Sequence, residues 1–104
     1  MGEPQRTSLP VAAAAAPLVL ITGASSGIGQ ALALRYHQAG WRLALVARRV
    51  DAIKQWASAN SISADSYQIY SADVADRDQI IAACEQCLAI QGVPEVVVAN
   101  AGVS

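Results

Sequence analysis

Apolar and polar residues follow two alternating patterns along most of this chain. Short apolar runs, typical of strands, are separated by longer stretches in which apolar residues recur at helical spacing. Strands are predicted at 18–22, 42–47, 67–72 and 95–99, and helices at 27–39, 50–59 and 76–91. Because strand and helix alternate, the pattern predicts right-handed βαβ units and a parallel sheet.

Residues at the predicted helix ends support these boundaries. Gly40 and Gly92 follow the first and third helices, where a C-terminal cap often requires left-handed backbone. Asp76 and Asp78 lie in the first turn of the third helix, where the helix dipole favours negative charge. The last apolar run, Val96–Val98, predicts a strand that is buried on both faces. Right-handed crossovers, however, leave only the third helix on one face, so in these 104 residues strand four is also expected to end the sheet as an open edge, with Val96–Val98 poorly covered.

The handedness of the crossovers predicts the order of the strands. Two crossovers on one face place the first three strands side by side, and the third crossover returns to place strand four beside strand one. The predicted fold class is therefore α/β, a Rossmann-type parallel sheet of four strands in the order 3-2-1-4 with flanking helices. The order reverses between strands one and four, so a ligand crevice is expected at their C-terminal ends.

A glycine-rich segment connects the first strand to the first helix. It reads Thr-Gly-Ala-Ser-Ser-Gly-Ile-Gly over residues 22–29. Glycine permits close backbone approach, and the free N–H groups at a helix N-terminus attract anions, so a phosphate-binding turn is predicted. The alternative is a glycine-rich turn without a ligand. The candidate cofactor-binding residues are Gly23, Ser25, Ser26, Gly27, Ile28 and Gly29. Valine at position 23 or 29 is expected to block the crevice rather than to unfold the protein.

Three motifs together resemble those of one enzyme family. The pattern Thr-Gly-x-x-x-Gly-x-Gly after the first strand resembles the cofactor signature of the short-chain dehydrogenases/reductases. Asp73-Val74 resembles the family's adenine-contacting Asp-Val pair, and Asn100-Ala101-Gly102 resembles its Asn-Asn-Ala-Gly motif, with Ala99 in place of the first Asn. The resemblance runs from about residue 18 to the last residue. It implies an oxidoreductase that moves hydride between a nicotinamide dinucleotide and an alcohol or carbonyl carbon.

The end of the second strand predicts which dinucleotide is bound. An NAD-binding fold places Asp or Glu there to accept from the adenosine ribose, whereas this chain has Ala47 followed by Arg48 and Arg49. Two guanidinium groups suit a 2′-phosphate, so NADP is predicted over NAD, with Arg48 as the primary contact and Arg49 as a helper. The alternative is a solvated arginine pair at the start of a helix. Asp51 could instead serve a ribose, although its position favours the helix N-terminus.

The catalytic motif that the resemblance implies is missing from these 104 residues. The family uses a Tyr-x-x-x-Lys pair, but Lys54 is the only lysine and Val50 stands four positions before it. We therefore predict no catalytic residue here, and expect the isolated chain to be inactive. Two hypotheses remain: the NADP(H)-binding portion of an oxidoreductase, or a non-catalytic nucleotide-binding or interaction fragment. A full-length form is expected to act on a small alcohol or carbonyl substrate and to form a homo-oligomer.

The cysteines Cys84 and Cys87 form a C-x-x-C motif inside the third predicted helix. A redox pair of this type lies at a helix N-terminus, and a zinc site needs two further ligands although His37 is the only histidine. Both cysteines belong to an apolar stripe at helical spacing, so we interpret them as packing residues and predict no metal site.

Composition and charge limit the other classes of function. A net charge of −1 gives no electrostatic reason to bind nucleic acid or an anionic membrane surface. Residues 1–16 lack periodicity and are predicted to be a disordered extension. Residues 17–104 are predicted to be the N-terminal part of an NAD(P)-binding Rossmann domain. Neither a secretory signal nor a membrane span is predicted, and we expect a cytoplasmic protein.

Overall fold

A computed structural model describes residues 16–100 of the protein. The predicted extension therefore lies outside the described residues except for Ala16. The strands are β1 (Leu18–Thr22), β2 (Arg42–Ala47), β3 (Tyr67–Ser71) and β4 (Val96–Val98). The helices are α1 (Gly27–Gln38), α2 (Val50–Ala59) and α3 (Arg77–Ile90), and a short 3₁₀ helix spans Ala64–Ser66. None of the helices within residues 16–100 is long and apolar enough to cross a membrane.

The four strands form one parallel sheet in the order β3-β2-β1-β4, which confirms the predicted topology. β1 lies at the centre: Leu20 is opposite Ala44 of β2 on one side and Val97 of β4 on the other. The C-terminal ends of β1 and β4 therefore lie side by side, and the chain leaves the sheet there toward the glycine turn and toward Asn100.

β1 and β2 are apolar apart from Thr22 at the end of β1 and Arg42 at the start of β2, because helices cover both faces of these strands. Successive side chains point to opposite faces, so each strand contributes to two cores. The core on the α1 and α2 face contains Val19, Ile21, Leu43 and Leu45 together with Ala33 and Ile53. The core on the α3 face contains Leu18, Leu20, Ala44 and Val46 together with Ala83 and Cys87. Burial of each large aliphatic side chain stabilises the fold by about 1.5–3 kcal/mol.

The helix ends agree with the capping signals in the sequence. The side chain of Asp76 accepts hydrogen bonds from the backbone N–H groups of Asp78 and Gln79, which fixes the first turn of α3. Gly40 and Gly92 adopt φ angles of 92° and 106° after α1 and α3. Both helices therefore end where left-handed backbone is required, as predicted.

The prediction that Val96–Val98 is buried on both faces is wrong. Val96 and Val98 pack against the core of the α1 and α2 face, but the side chain of Val97 is 61% exposed. The α3 face of the sheet is covered over β1, β2 and β3, and its core contains no residue of β4. β4 is thus an apolar edge strand with one open face.

A cluster of polar side chains from β2, β3 and the residue after α3 fixes the C-terminal end of α3. The Tyr70 hydroxyl donates to Gln91 Oε1 at 2.9 Å, and Gln91 Nε2 donates to the Leu43 carbonyl oxygen at 3.0 Å. Arg42 Nη1 donates to the Gln91 carbonyl oxygen at 3.0 Å. Burial, with Cys87 as a neighbour, raises the pKa of Tyr70 to about 12.

The C-x-x-C motif lies within the core of the α3 face. Cys87 is completely buried, and Cys84 packs against the same core. Burial, followed by the effect of Cys84, raises the pKa of the Cys87 thiol, so its reactive thiolate form is disfavoured. Across residues 16–100, no group of three or more His, Cys, Asp or Glu side chains could hold a metal ion.

Candidate cofactor site

The glycine turn between β1 and α1 packs closely against the end of β4. Gly23 has a φ of 63°, and a Cβ atom there would collide with the carbonyl oxygen of Asn100. A Cβ atom on Gly29 would collide with the carbonyl oxygen of Gly23. The protein's own backbone therefore requires both glycines. The expectation that valine at either position would block the crevice without disturbing the fold does not hold.

Gly27 differs from the other two glycines of the turn. A Cβ atom at this position would meet no atom of residues 16–100 within 4 Å, and the residue is exposed. Packing among the described residues therefore does not explain Gly27. The open space above the first residue of α1 is what a bound phosphate group needs, because its oxygens must approach the backbone closely.

The two serines of the turn have different roles. The Ser26 hydroxyl donates to the Gly23 carbonyl oxygen at 3.0 Å and accepts from the Gly29 N–H at 3.0 Å, so it caps α1. The Ser25 hydroxyl has no hydrogen-bond partner among residues 16–100. Ser26 is therefore committed to the turn, whereas Ser25 is available to a ligand.

Several backbone donors of the turn are also available. Within the described part of the chain, the N–H groups of Ser25, Gly27 and Ile28 have no hydrogen-bond partner. Gly27 and Ile28 form the first turn of α1, where the positive end of the helix dipole lies. An anion with several oxygens, such as a pyrophosphate, fits this set of donors.

Asn100 connects the end of β4 to the glycine turn. Its side-chain amide donates to the Gly23 carbonyl oxygen at 3.2 Å and to Ser26 Oγ at 3.0 Å. The hydroxyl of Thr22 lies 3.4 Å from the Asn100 carbonyl oxygen. The two sides of the predicted crevice are thus joined by hydrogen bonds. Ala101 and Gly102, the other candidates of this motif, lie outside the described residues.

Arg48 and Asp73 meet across the ends of β2 and β3. Arg48 Nη1 lies 3.7 Å from Asp73 Oδ2. The side chain of Arg48 is 62% exposed and that of Asp73 is 35% exposed. Asp73 Oδ1 accepts from the Ala75 N–H at 2.9 Å, and the Asp73 N–H donates to Gln79 Oε1 at 2.8 Å. The neighbouring Val74 is exposed. No sequence motif singles out Gln79, whose side chain fixes this loop from the first turn of α3.

An open cleft lies beside these residues at the start of α2. It has a volume of about 580 Å³. Its lining residues are Arg48, Arg49, Val50, Asp51, Ala52 and Gln55. The last residue of β2 is Ala47, which is buried. Because it is an alanine, the carboxylate that an NAD-binding fold places there is absent. Two exposed guanidinium groups and space for an adenosine phosphate therefore occur together.

Comparison with known proteins identifies the family. The family model described as short chain dehydrogenase matches residues 17–104. Dehydrogenase/reductase SDR family member 7B of Mus musculus is 35% identical over 91 residues, which cover 84% of this chain and 28% of the relative. The chain therefore belongs to the short-chain dehydrogenase family, and it spans less than a third of this relative's length.

Solved structures of oxidoreductases agree with this assignment. L-sorbose reductase from Gluconobacter frateurii, complexed with NADPH and L-sorbose, is 32% identical with a TM-score of 0.73, over 85% of this chain and 34% of that one. A 3-ketoacyl-(acyl-carrier-protein) reductase from Brucella melitensis, complexed with NADH, is 28% identical with a TM-score of 0.68. The match covers 78% of this chain and 32% of that one. The similar structures thus include complexes with both forms of the nicotinamide dinucleotide.

Proposed function

We propose that this chain is the NADP(H)-binding portion of an oxidoreductase that acts on an alcohol or carbonyl substrate. The observation that carries the proposal is the placement of Arg48 and Arg49 directly after buried Ala47, at the end of the strand beside β1. The glycine turn offers its free N–H groups to the pyrophosphate. Arg48 and Arg49 would then receive the 2′-phosphate that distinguishes NADP from NAD.

The preference for NADP(H) rests on this chain's own residues. The similar structures hold either NADPH or NADH, so family membership does not select between them. A carboxylate at position 47 would repel a 2′-phosphate, and alanine does not. A charge-assisted hydrogen bond from a guanidinium to the phosphate contributes about 1.5–3 kcal/mol.

The same proposal assigns no catalytic residue to the 104-residue chain. None of its three tyrosines is followed four positions later by a lysine, and Lys54 is exposed on α2. When bound, the nicotinamide dinucleotide would supply hydride. This chain would hold and orient the dinucleotide. Action on substrate and assembly into a homo-oligomer are proposed for a longer form of the protein. A cytoplasmic location stays a prediction from the sequence.

Titration with the two reduced nucleotides tests the preference. We expect wild-type protein to bind NADPH more tightly than NADH, and Arg48→Ala to weaken NADPH binding about 10- to 100-fold with little effect on NADH. Arg35→Ala is the matched control, because it removes the same charge from the last turn of α1. Equal wild-type affinities for the two nucleotides, or equal losses in Arg48→Ala, would contradict the proposal.

A further inference from the structure

The only ion pair that Arg48 makes within the described residues is with Asp73. One oxygen of that carboxylate lies 3.7 Å from the guanidinium, and the other is fixed by the Ala75 N–H. Gln79 holds the Asp73 backbone, and Asp76 Oδ2 accepts from Gln79 Nε2 at 3.2 Å. The carboxylate therefore has a fixed position next to the residue that is assigned to the 2′-phosphate.

A phosphate that binds Arg48 must compete with this carboxylate. The guanidinium can pair with either anion, and Asp73 also adds a negative charge near the place where the phosphate would lie. An unphosphorylated ribose experiences neither effect. Asp73 would thus disfavour NADP(H) specifically, even though it lies beside the arginines that are assigned to the 2′-phosphate.

We propose that Asp73 is a specificity-determining residue that restrains Arg48 and thereby limits the preference for NADP(H) over NAD(H). This inference rests on the proposed function of the same site. It differs from the role that family resemblance suggests for Asp73, contact with the adenine ring. An adenine contact acts equally on both dinucleotides, whereas the ion pair acts only on the phosphorylated one.

The size of the effect follows from the exposure of the pair. Both side chains are partly in water, and exposed ion pairs of this kind are weak and screened by salt. We therefore expect Asp73→Asn to raise the preference about two- to fivefold at low ionic strength. The increase should become smaller at high ionic strength.

Two adenosine nucleotides isolate this end of the site. Adenosine 2′,5′-bisphosphate and adenosine 5′-monophosphate differ only by the 2′-phosphate, and calorimetry measures both affinities on the complete 104-residue chain. Asp73→Asn should tighten binding of the bisphosphate about two- to fivefold and leave the monophosphate unchanged. Asp65→Asn is the control, because it removes an equal charge from the short 3₁₀ helix at the start of β3.

The variant preserves the local structure that the carboxylate supports. Asparagine retains a side-chain oxygen that can accept from the Ala75 N–H, and serine can do the same through its hydroxyl. Asp73→Ser is therefore the second variant, and thermal melts of both show whether the fold is intact. In an Arg48→Ala background, Asp73→Asn should change the ratio of the two affinities less than in wild type, since the guanidinium is no longer there to be released.

The outcomes separate this inference from the proposed function. If Arg48→Ala lowers bisphosphate affinity but Asp73→Asn changes both nucleotides equally, or changes neither, the inference is wrong and the proposed function stands. If wild-type protein does not distinguish the two nucleotides and Arg48→Ala has no effect, the proposed function fails and this inference fails with it. A selective gain for the bisphosphate that becomes smaller in the Arg48→Ala background supports both.

Discussion

At the scale of single residues, the glycines of the β1–α1 turn serve different needs. Gly23 and Gly29 make room for neighbouring backbone, whereas the Cβ position of Gly27 is surrounded by open space. Substitution at the first two must displace the chain. Substitution at Gly27 tests the ligand site without that complication.

We expect Gly27→Ala to stabilise the protein and weaken nucleotide binding. Alanine is favoured over glycine in a helix by up to about 1 kcal/mol, and no atom of the described residues opposes the new methyl group. The same methyl group intrudes where a phosphate would approach, so the affinity for NADPH should fall about tenfold, equivalent to one lost hydrogen bond. Thermal melts and NADPH titration measure the two effects. Gly29→Ala, the comparison, should lower the melting temperature, and near-native NADPH binding by Gly27→Ala would count against the site.

Tyr70 gives a pH dependence with a definite sign. Its pKa rises from 10.0 in the unfolded chain to about 12 in the fold, because burial disfavours the phenolate. The folded state therefore holds this proton more tightly. The stability from this group is complete below about pH 10 and is lost as the pH rises toward about 12.

Denaturant unfolding at several pH values checks this dependence against Tyr70→Phe. The variant should be about 1 kcal/mol less stable at neutral pH, because Gln91 Oε1 loses its donor at 2.9 Å. Its stability should also decline less than that of the wild type between pH 10 and 12. The same decline in both proteins would show that Tyr70 does not titrate in this range.

At the scale of elements, Asn100 holds the end of β4 against the start of α1. Asn100→Ala removes its two hydrogen bonds to the glycine turn, so we expect a loss of about 1–3 kcal/mol in stability and faster amide exchange in residues 23–29. Asn60→Ala is the control, because within residues 16–100 its side chain donates only to the Trp56 carbonyl oxygen, at the end of α2. Unchanged exchange in the turn would mean that Asn100 does not fix the crevice.

The elements themselves could be predicted from the sequence because their signals are local. Every α-helix and strand agrees with its predicted range to within one residue at either end, since apolar period and capping residues are properties of short segments. The exposure of β4 follows instead from the handedness of the crossovers, which leaves only α3 on one face of the sheet, whereas the local apolar run wrongly predicts burial on both faces. Neither the Arg48–Asp73 ion pair nor the difference between the roles of Ser25 and Ser26 could be predicted from the sequence, because both depend on tertiary geometry. Thr22 is not among the candidate site residues, although its hydroxyl lies 3.4 Å from the Asn100 carbonyl oxygen. Its position as the first residue of the Thr-Gly-x-x-x-Gly-x-Gly pattern is the available signal.

At the scale of the whole molecule, apolar surface is exposed at the sheet edge and on α3. Val97 is 61% exposed, and Ile81 and Leu88, seven residues apart on one face of α3, are 45% and 51% exposed. An unprotected apolar edge strand pairs readily with other chains. We therefore expect the isolated chain to self-associate and its stability to be at or below about 5 kcal/mol.

Sedimentation velocity over a range of concentrations measures this association. Val97→Lys should shift the protein toward monomer, because a lysine on an edge strand disfavours pairing. Ala59→Lys is a matched control, because it adds the same charge at an exposed position of α2, a helix outside this apolar surface. A wild-type protein that stays monomeric at all concentrations would contradict the role of the edge.

The central claim is that the glycine turn and Arg48 form one NADP-binding surface, and amide NMR titration with NADP tests it most directly. The signals of Ser25, Gly27 and Ile28, whose N–H groups are unpaired within residues 16–100, should shift together with that of Arg48. An equal concentration of NAD should produce smaller shifts, above all at Arg48. Shifts confined to other residues, or identical responses to the two nucleotides, would contradict the account.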